Sequence, residues 1–162
     1  MTLRLAKCVV AAFAACGSSV AAAQTASQEA PDLVGTWQCT SDGVAAYHGF
    51  QPAGEWQHRM VITDQLGLTF RGYIQFKLDK SVHSETHINI PGHDIVSEDG
   101  DTVEVQEAFV GTIGWNDTFL MVDHGDLGIR TGFIEDENTL KQVFGRPGEA
   151  PLASRETCTR WE

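Results

Sequence analysis

The 162-residue chain carries 22 acidic and 11 basic side chains, a formal net charge of −11 at pH 7. That balance disfavours nucleic acid and anionic membrane surfaces as partners, because both are bound through clustered Lys and Arg. The length suits one domain with a sizeable core.

Residues 1–23 have the pattern of an export signal. Arg4 and Lys7 form a basic start, Cys8 to Ala15 is apolar, and Ala21-Ala22-Ala23 offers a small-residue cleavage site. The apolar run is too short to span a bilayer. Soluble export to a periplasmic or secreted location is the expectation. The alternative is a lipid anchor on Cys16, since Phe13-Ala14-Ala15-Cys16-Gly17 resembles a lipobox with Phe13 where Leu is preferred. Cleavage after Ala23 leaves 139 residues and a charge of about −13, because Arg4 and Lys7 go with the leader.

Residues 24–32 read as a flexible lead-in, and 33–162 as a single domain. A strand is expected over Val34–Thr40, followed by a loop from Ser41 to Glu55 that contains Gly43, Gly49, Pro52 and Gly54. Loops of this length are often lids or binding loops, and this one carries Tyr47 and His48. From Trp56 the sequence alternates with period two, the sign of half-buried strands. His58, Met60 and Ile62 share one face; after a turn at Gln65-Leu66-Gly67, so do Leu68, Phe70, Gly72, Ile74 and Phe76. Further strands are expected over Glu85–Ile90, Thr102–Ile113, Asp117–His124, Leu127–Ile134, Thr139–Phe144 and Leu152–Trp161. Turn signals such as Asp99-Gly100, Gly125-Asp126 and Pro147-Gly148 fall between them. The pattern is all-β, a meander or barrel. It gives nine candidates, whereas closure between first and last strand needs an even number, so Glu85–Ile90 is expected to be irregular or merged.

Cys8 and Cys16 belong to the leader, which leaves Cys39 and Cys158 for one disulfide in an oxidising compartment. If the first and last strands pair antiparallel with Cys39 opposite Cys158, opposed residues share an index sum of 197, and Trp37 falls opposite Arg160. Opposed Cβ atoms lie about 4.5–5.5 Å apart, close enough for a disulfide in one pair and a stacked guanidinium in the other.

Gly35-x-Trp37 and Arg160 together resemble the signature of the calycin superfamily, the lipocalins and avidins. Gln65-x-Gly67-x-x-Phe70-x-Gly72 looks like an avidin-type second hairpin. The resemblance implies an antiparallel meander closed into a single calycin-like barrel of about eight strands. Trp37 and Arg160 would then be structural and seal its closed end. Gln38, Cys39 and Thr40 do not match the biotin-contacting residues of avidins, so biotin is not implied.

Parity singles out polar residues on apolar faces. Glu107 lies among Val103, Val105 and Phe109; His58 among Trp56, Met60 and Ile62; Gln142 between Leu140 and Phe144. By the same reasoning Thr131 joins Ile129 and Phe133, and His124 continues Leu120 and Val122. Apolar walls with a few convergent polar groups are how ligand sites are built. Structural pairs inside a small barrel are the alternative for each. Asp123-His124 offers an Asp–His pair but reads first as a hairpin turn. His83 and His87 on a strand lie roughly 13 Å apart, too far to share one metal, so no metal and no cofactor is expected. No Gly-x-Ser-x-Gly, Walker loop, dinucleotide fingerprint or His-Glu-x-x-His occurs.

The expectation is therefore an exported barrel that binds a small, largely apolar molecule, with no nucleic-acid partner and no membrane span. Trp56, Phe70, Phe76 and Phe109 would supply walls, His58, Glu107 and Gln142 would orient the ligand, and Tyr47–His48 would form the lid. One alternative is an isomerase, cyclase or lyase with Glu107 or His58 as general base. Another is an inhibitor or interaction protein for a basic partner.

Overall fold

A computed structural model describes residues 30–46, 49–54, 56–80, 93–124, 128–148 and 151–162. Ten strands run in chain order: β1 Gly35–Ala46, β2 Gly49–Gln51, β3 Gln57–Leu66, β4 Thr69–Asp79 and β5 His93–Asp99, then β6 Thr102–Ile113, β7 Thr118–Asp123, β8 Ile129–Asp136, β9 Thr139–Arg146 and β10 Leu152–Arg160. Eight of them, β1, β3, β4 and β6 to β10, form a closed antiparallel barrel, because β10 returns to pair with β1. β2 and β5 are additions to it: β2 pairs with β1, and β5 with β6.

The closing seam has the expected register. Trp37 lies opposite Arg160 and Cys39 opposite Cys158. Cys39 and Cys158 form a disulfide across a sequence separation of 119 and are fully buried. The Arg160 guanidinium stacks 4.3 Å above the Trp37 ring. Its Nη1 and Nη2 donate to the carbonyls of Val34 and Asp32, each at 2.8 Å, and its Nε donates to Glu137 at 3.0 Å. This plug explains Gly35. Its φ is +144°, and a Cβ there would lie 2.8 Å from Arg160 Nη1. Trp37 Nε1 donates to the Leu33 carbonyl, and the Gln65 side chain holds the lead-in by accepting from Leu33 N–H and donating to the Pro31 carbonyl.

The barrel therefore has two distinct ends. At the Trp37–Arg160 end, the β3–β4, β6–β7 and β8–β9 connections are short, and a core of Leu33, Trp37, Met60, Ile62, Phe70 and Ile113, among others, fills the interior. At the opposite end stand Ala46 of β1, Asp79 of β4, Asp123 of β7 and Arg146 of β9, and residues 47–48, 81–92, 125–127 and 149–150 lie outside the described residues. The expected strand at Glu85–Ile90 and the leader fall outside them too.

Two expectations change. Much of Ser41–Glu55 is not loop: β1 continues to Ala46 because β10 begins at Leu152 and offers it partners, and Gly49–Gln51 folds back as β2. A register shift between Ser41 and Gly43 resets the alternation, so that Val44 points inward after Ser41. The second change is β5, which the sequence pattern did not mark. β7 pairs only with Phe109–Ile113 of the twelve-residue β6, which leaves the other half of that edge to β5.

Opening the disulfide restores the entropy of a loop of 119 residues to the unfolded chain, worth about 5 kcal/mol in the chain-entropy model. Reduction and alkylation of Cys39 and Cys158 should lower the denaturant midpoint accordingly, and an unchanged midpoint would refute a stabilising seam.

Candidate functional site

Between the apolar closed half and the open end, the interior turns polar. Ser41 on β1, His58 on β3, Glu107 on β6 and Asp123 on β7 all point inward and are buried. So do Arg130 on β8, Gln142 on β9, and Ser154 and Glu156 on β10. Alternation along each strand places them, since inward neighbours such as Met60, Phe109, Met121, Leu140 and Cys158 are core residues.

Glu156 is the hub on one side. Its Oε2 accepts from Gln142 Nε2 and its Oε1 from Ser154 Oγ, both at 2.7 Å. His58 Nε2 stands 3.7 Å from Glu156 Oε2. Burial pushes the His58 pKa down to about 4, despite the pull of Glu156, so near neutral pH this contact joins a neutral imidazole to a carboxylate. On the other side Arg130 Nη1 donates to Asp123 Oδ2, and its guanidinium lies 4.2 Å over the Phe144 ring. Gly128 leaves room for this pair, because a Cβ there would lie 2.5 Å from both Asp123 Oδ2 and the Phe144 ring. Burial drives the Asp123 carboxyl up to about 6, helped by Glu107 and Glu156 and opposed by Arg130.

Asp123 thus lies within electrostatic reach of Arg130, Glu107 and Glu156. Several polar atoms remain without a hydrogen-bond partner among the described residues: both His58 nitrogens, Asp123 Oδ1, Gln142 Oε1, Arg130 Nε and Ser41 Oγ. Each such group costs about 1–3 kcal/mol relative to a satisfied one. Toward the open end, Trp56 packs against Phe76 with ring centroids 6.0 Å apart, and Leu78, Val103 and Val105 form a small apolar cluster.

The structure gathers some of the sequence-derived residues in the interior and places others elsewhere. His58, Glu107 and Gln142 lie together in the interior, and Trp56 and Phe76 stand half-buried beside them. Phe70 and Phe109 instead pack edge-to-face, 6.3 Å apart, within the closed-half core. Tyr47 and His48 lie outside the described residues. His124 and Thr131 do not face the interior; both are exposed. The apolar residues used to set their parity, Leu120, Val122, Ile129 and Phe133, are on the outer face, and the inner face carries Met121, Asp123, Arg130 and Gly132. Asp123 and His124 consequently point to opposite sides and form no pair. Asp123, Arg130, Ser41, Ser154 and Glu156 were missed. The seam register would have found two of these, since Ser41 lies opposite Glu156 at the same index sum of 197. Among the described residues, His58, Cys39 and Cys158 come within 4.8 Å of one another, but the disulfide removes both sulfurs as metal ligands.

The class defined by this geometry is a closed eight-stranded antiparallel β-barrel with a buried disulfide and a polar interior layer. No protein-family model and no curated protein sequence matches the chain. Among solved structures, it is similar to a redesigned β-barrel, with a TM-score of 0.46 and 16% identity over 80% of this chain and 92% of that one.

The two shifted groups give opposite pH terms. His58, depressed, contributes stability above its unfolded pKa of 6.5 that is lost as pH falls toward 4. Asp123, raised, contributes stability below 3.8 that is lost as pH rises through about 6. Each term amounts to roughly 3 kcal/mol at its limit, so in the wild type they largely offset. The destabilisation caused by His58→Gln should therefore be smaller at pH 4.5 than at pH 7.5, by about 2 kcal/mol. That caused by Asp123→Asn should be larger at pH 4.5. Urea titrations at both pH values measure the two differences, and pH-independent values would show these groups to be solvated.

Proposed function

We propose that this protein is an exported, calycin-like binding barrel for a small molecule with an apolar body and a hydrogen-bond-donating, cationic head. One observation carries the reading: the acceptor oxygens Asp123 Oδ1 and Gln142 Oε1 lie buried in the polar layer without a hydrogen-bond partner among the described residues. A protonated amine supplies the donors that these two oxygens lack. Its apolar remainder would lie toward the open end against Trp56, Phe76 and Phe144, the aromatic surface next to the polar layer. The head group makes the ligand more polar than the sequence alone suggested.

The calycin reading is supported by the Trp37–Arg160 plug and the seam register. Export is supported by the leader pattern and by a buried disulfide, which persists in oxidising compartments. A second reading, an enzyme, has one specific support: the Asp123 carboxyl, pushed up to about 6, is better matched to proton transfer near neutrality than His58 at about 4.

Native mass spectrometry of the mature protein, purified gently from its own cell envelope, tests binding. The expected result is a reproducible added mass released by denaturation and containing a basic nitrogen. Glu156→Gln and Gln142→Leu should each lower the occupancy at least tenfold while the disulfide stays intact. A bound mass with no basic nitrogen would overturn the cationic head, and a bare chain that binds no amine from a screen would overturn the binding role. A pH–rate profile abolished by Asp123→Asn, on any substrate so found, would favour the enzyme.

A further inference from the structure

The apolar residues that misled the parity reading form a continuous surface. On the outer face of β6 to β9, Val110, Leu120, Val122, Ile129, Phe133 and Val143 are each 41–62% exposed. The register makes them neighbours: Val110 is opposite Val122, Val122 is opposite Ile129, and Thr131 joins Leu120 to Val143. Together they present about 500 Å² of largely apolar surface, the size of patch that usually marks an interaction site. From the geometry we infer that this face pairs with a second copy of the chain.

Three observations select that partner. First, charge: the six patch residues carry none. Among the described residues the ion pairs at their margins are Lys141 with Glu135 at 2.7 Å, Arg71 with Asp64 at 3.0 Å and Arg155 with Asp42 at 3.0 Å, with His124 exposed beyond Val122. On a chain of net charge −11, this is a face where two copies meet without opposing carboxylates. A basic partner would meet only carboxylates that already hold a cation among the described residues. A lipid-spanning barrel needs an apolar belt all round, and the outer faces of β3 and β4 interrupt it with the exposed Arg59, Arg71 and Lys77.

Second, shape: a groove of about 680 Å³ runs along one side of the patch, between Leu66 and Arg71 on one wall and Leu120 and Val122 on the other. A two-fold axis near Leu120 brings the Ile129–Phe133–Val143 ridge of each copy onto the groove of the other, a self-complementary contact. Third, area: two such patches remove about 1,000 Å² in total, the lower limit for a specific interface, so a weak, concentration-dependent dimer is expected.

Sedimentation velocity of the mature protein from about 1 to 200 µM, at 50 and 500 mM salt, tests this. The expected result is a monomer–dimer equilibrium that tightens several-fold at high salt, as screening relieves the like-charge repulsion. Val110→Lys and Ile129→Lys, on different strands, should each shift the equilibrium to monomer, with near-UV circular dichroism and thermal midpoint unchanged. A monomer at every concentration would overturn the inference, as would a dimer weakened by salt or one indifferent to both substitutions. A monomer that floats with neutral phospholipid vesicles would do the same, in favour of a lipid surface.

Discussion

The structure depends on one antiparallel seam, that between β1 and β10. It is the pairing that turns an open meander into a barrel, and it fixes the register of everything else on the inner face. Cys39 faces Cys158 and Trp37 faces Arg160, so covalent closure and the closed-end plug are consequences of one alignment. The same alignment carries Ser41 and Glu156 to the next inward position, where the polar layer begins. A one-residue slip would expel all of them to the outside. A disulfide and a guanidinium bonded to three backbone carbonyls hold the register against such a slip.

Apolar and polar groups are divided along the barrel axis. The closed half buries Trp37, Met60, Ile62, Phe70, Phe109 and their neighbours as a continuous apolar core, which pulls the strands together. The layer above works against it, because buried carboxylates and an imidazole held neutral lose hydration that their internal contacts only partly replace. Such a layer is tolerable next to a strong core and a covalent seam. It leaves Asp123 Oδ1 and Gln142 Oε1 without hydrogen-bond partners among the described residues, and the side of the barrel around β6 to β9 meanwhile presents a separate apolar surface outside.

How much of this was legible in the sequence varied with position. Period-two alternation sufficed for an all-β chain and one index sum for the disulfide and the stacked Arg160, while closure into about eight strands came from the resemblance carried by Gly35, Trp37 and Arg160. His58, Glu107 and Gln142 were legible because the strands bearing them bury their apolar face. On β7 and β8 that assumption fails: Leu120, Val122, Ile129 and Phe133 face outward, while Asp123 and Arg130 satisfy each other within. Hydrophobicity reports burial only where one face is solvated, and a sheet with apolar residues on both faces defeats it. The strand β5 escaped for a different reason, since it exists to cover the edge that a short β7 leaves on β6.

The central claim is that the seam register creates a dry polar layer with His58 held neutral beside Glu156. Nitrogen-15 NMR of the His58 imidazole, titrated from pH 7.5 to 4, tests it most directly. The account predicts ring-nitrogen shifts of a neutral imidazole until the pH approaches about 4, with no titration step near 6.5. A full protonation step near 6.5 would contradict an imidazole held neutral by burial beside Glu156.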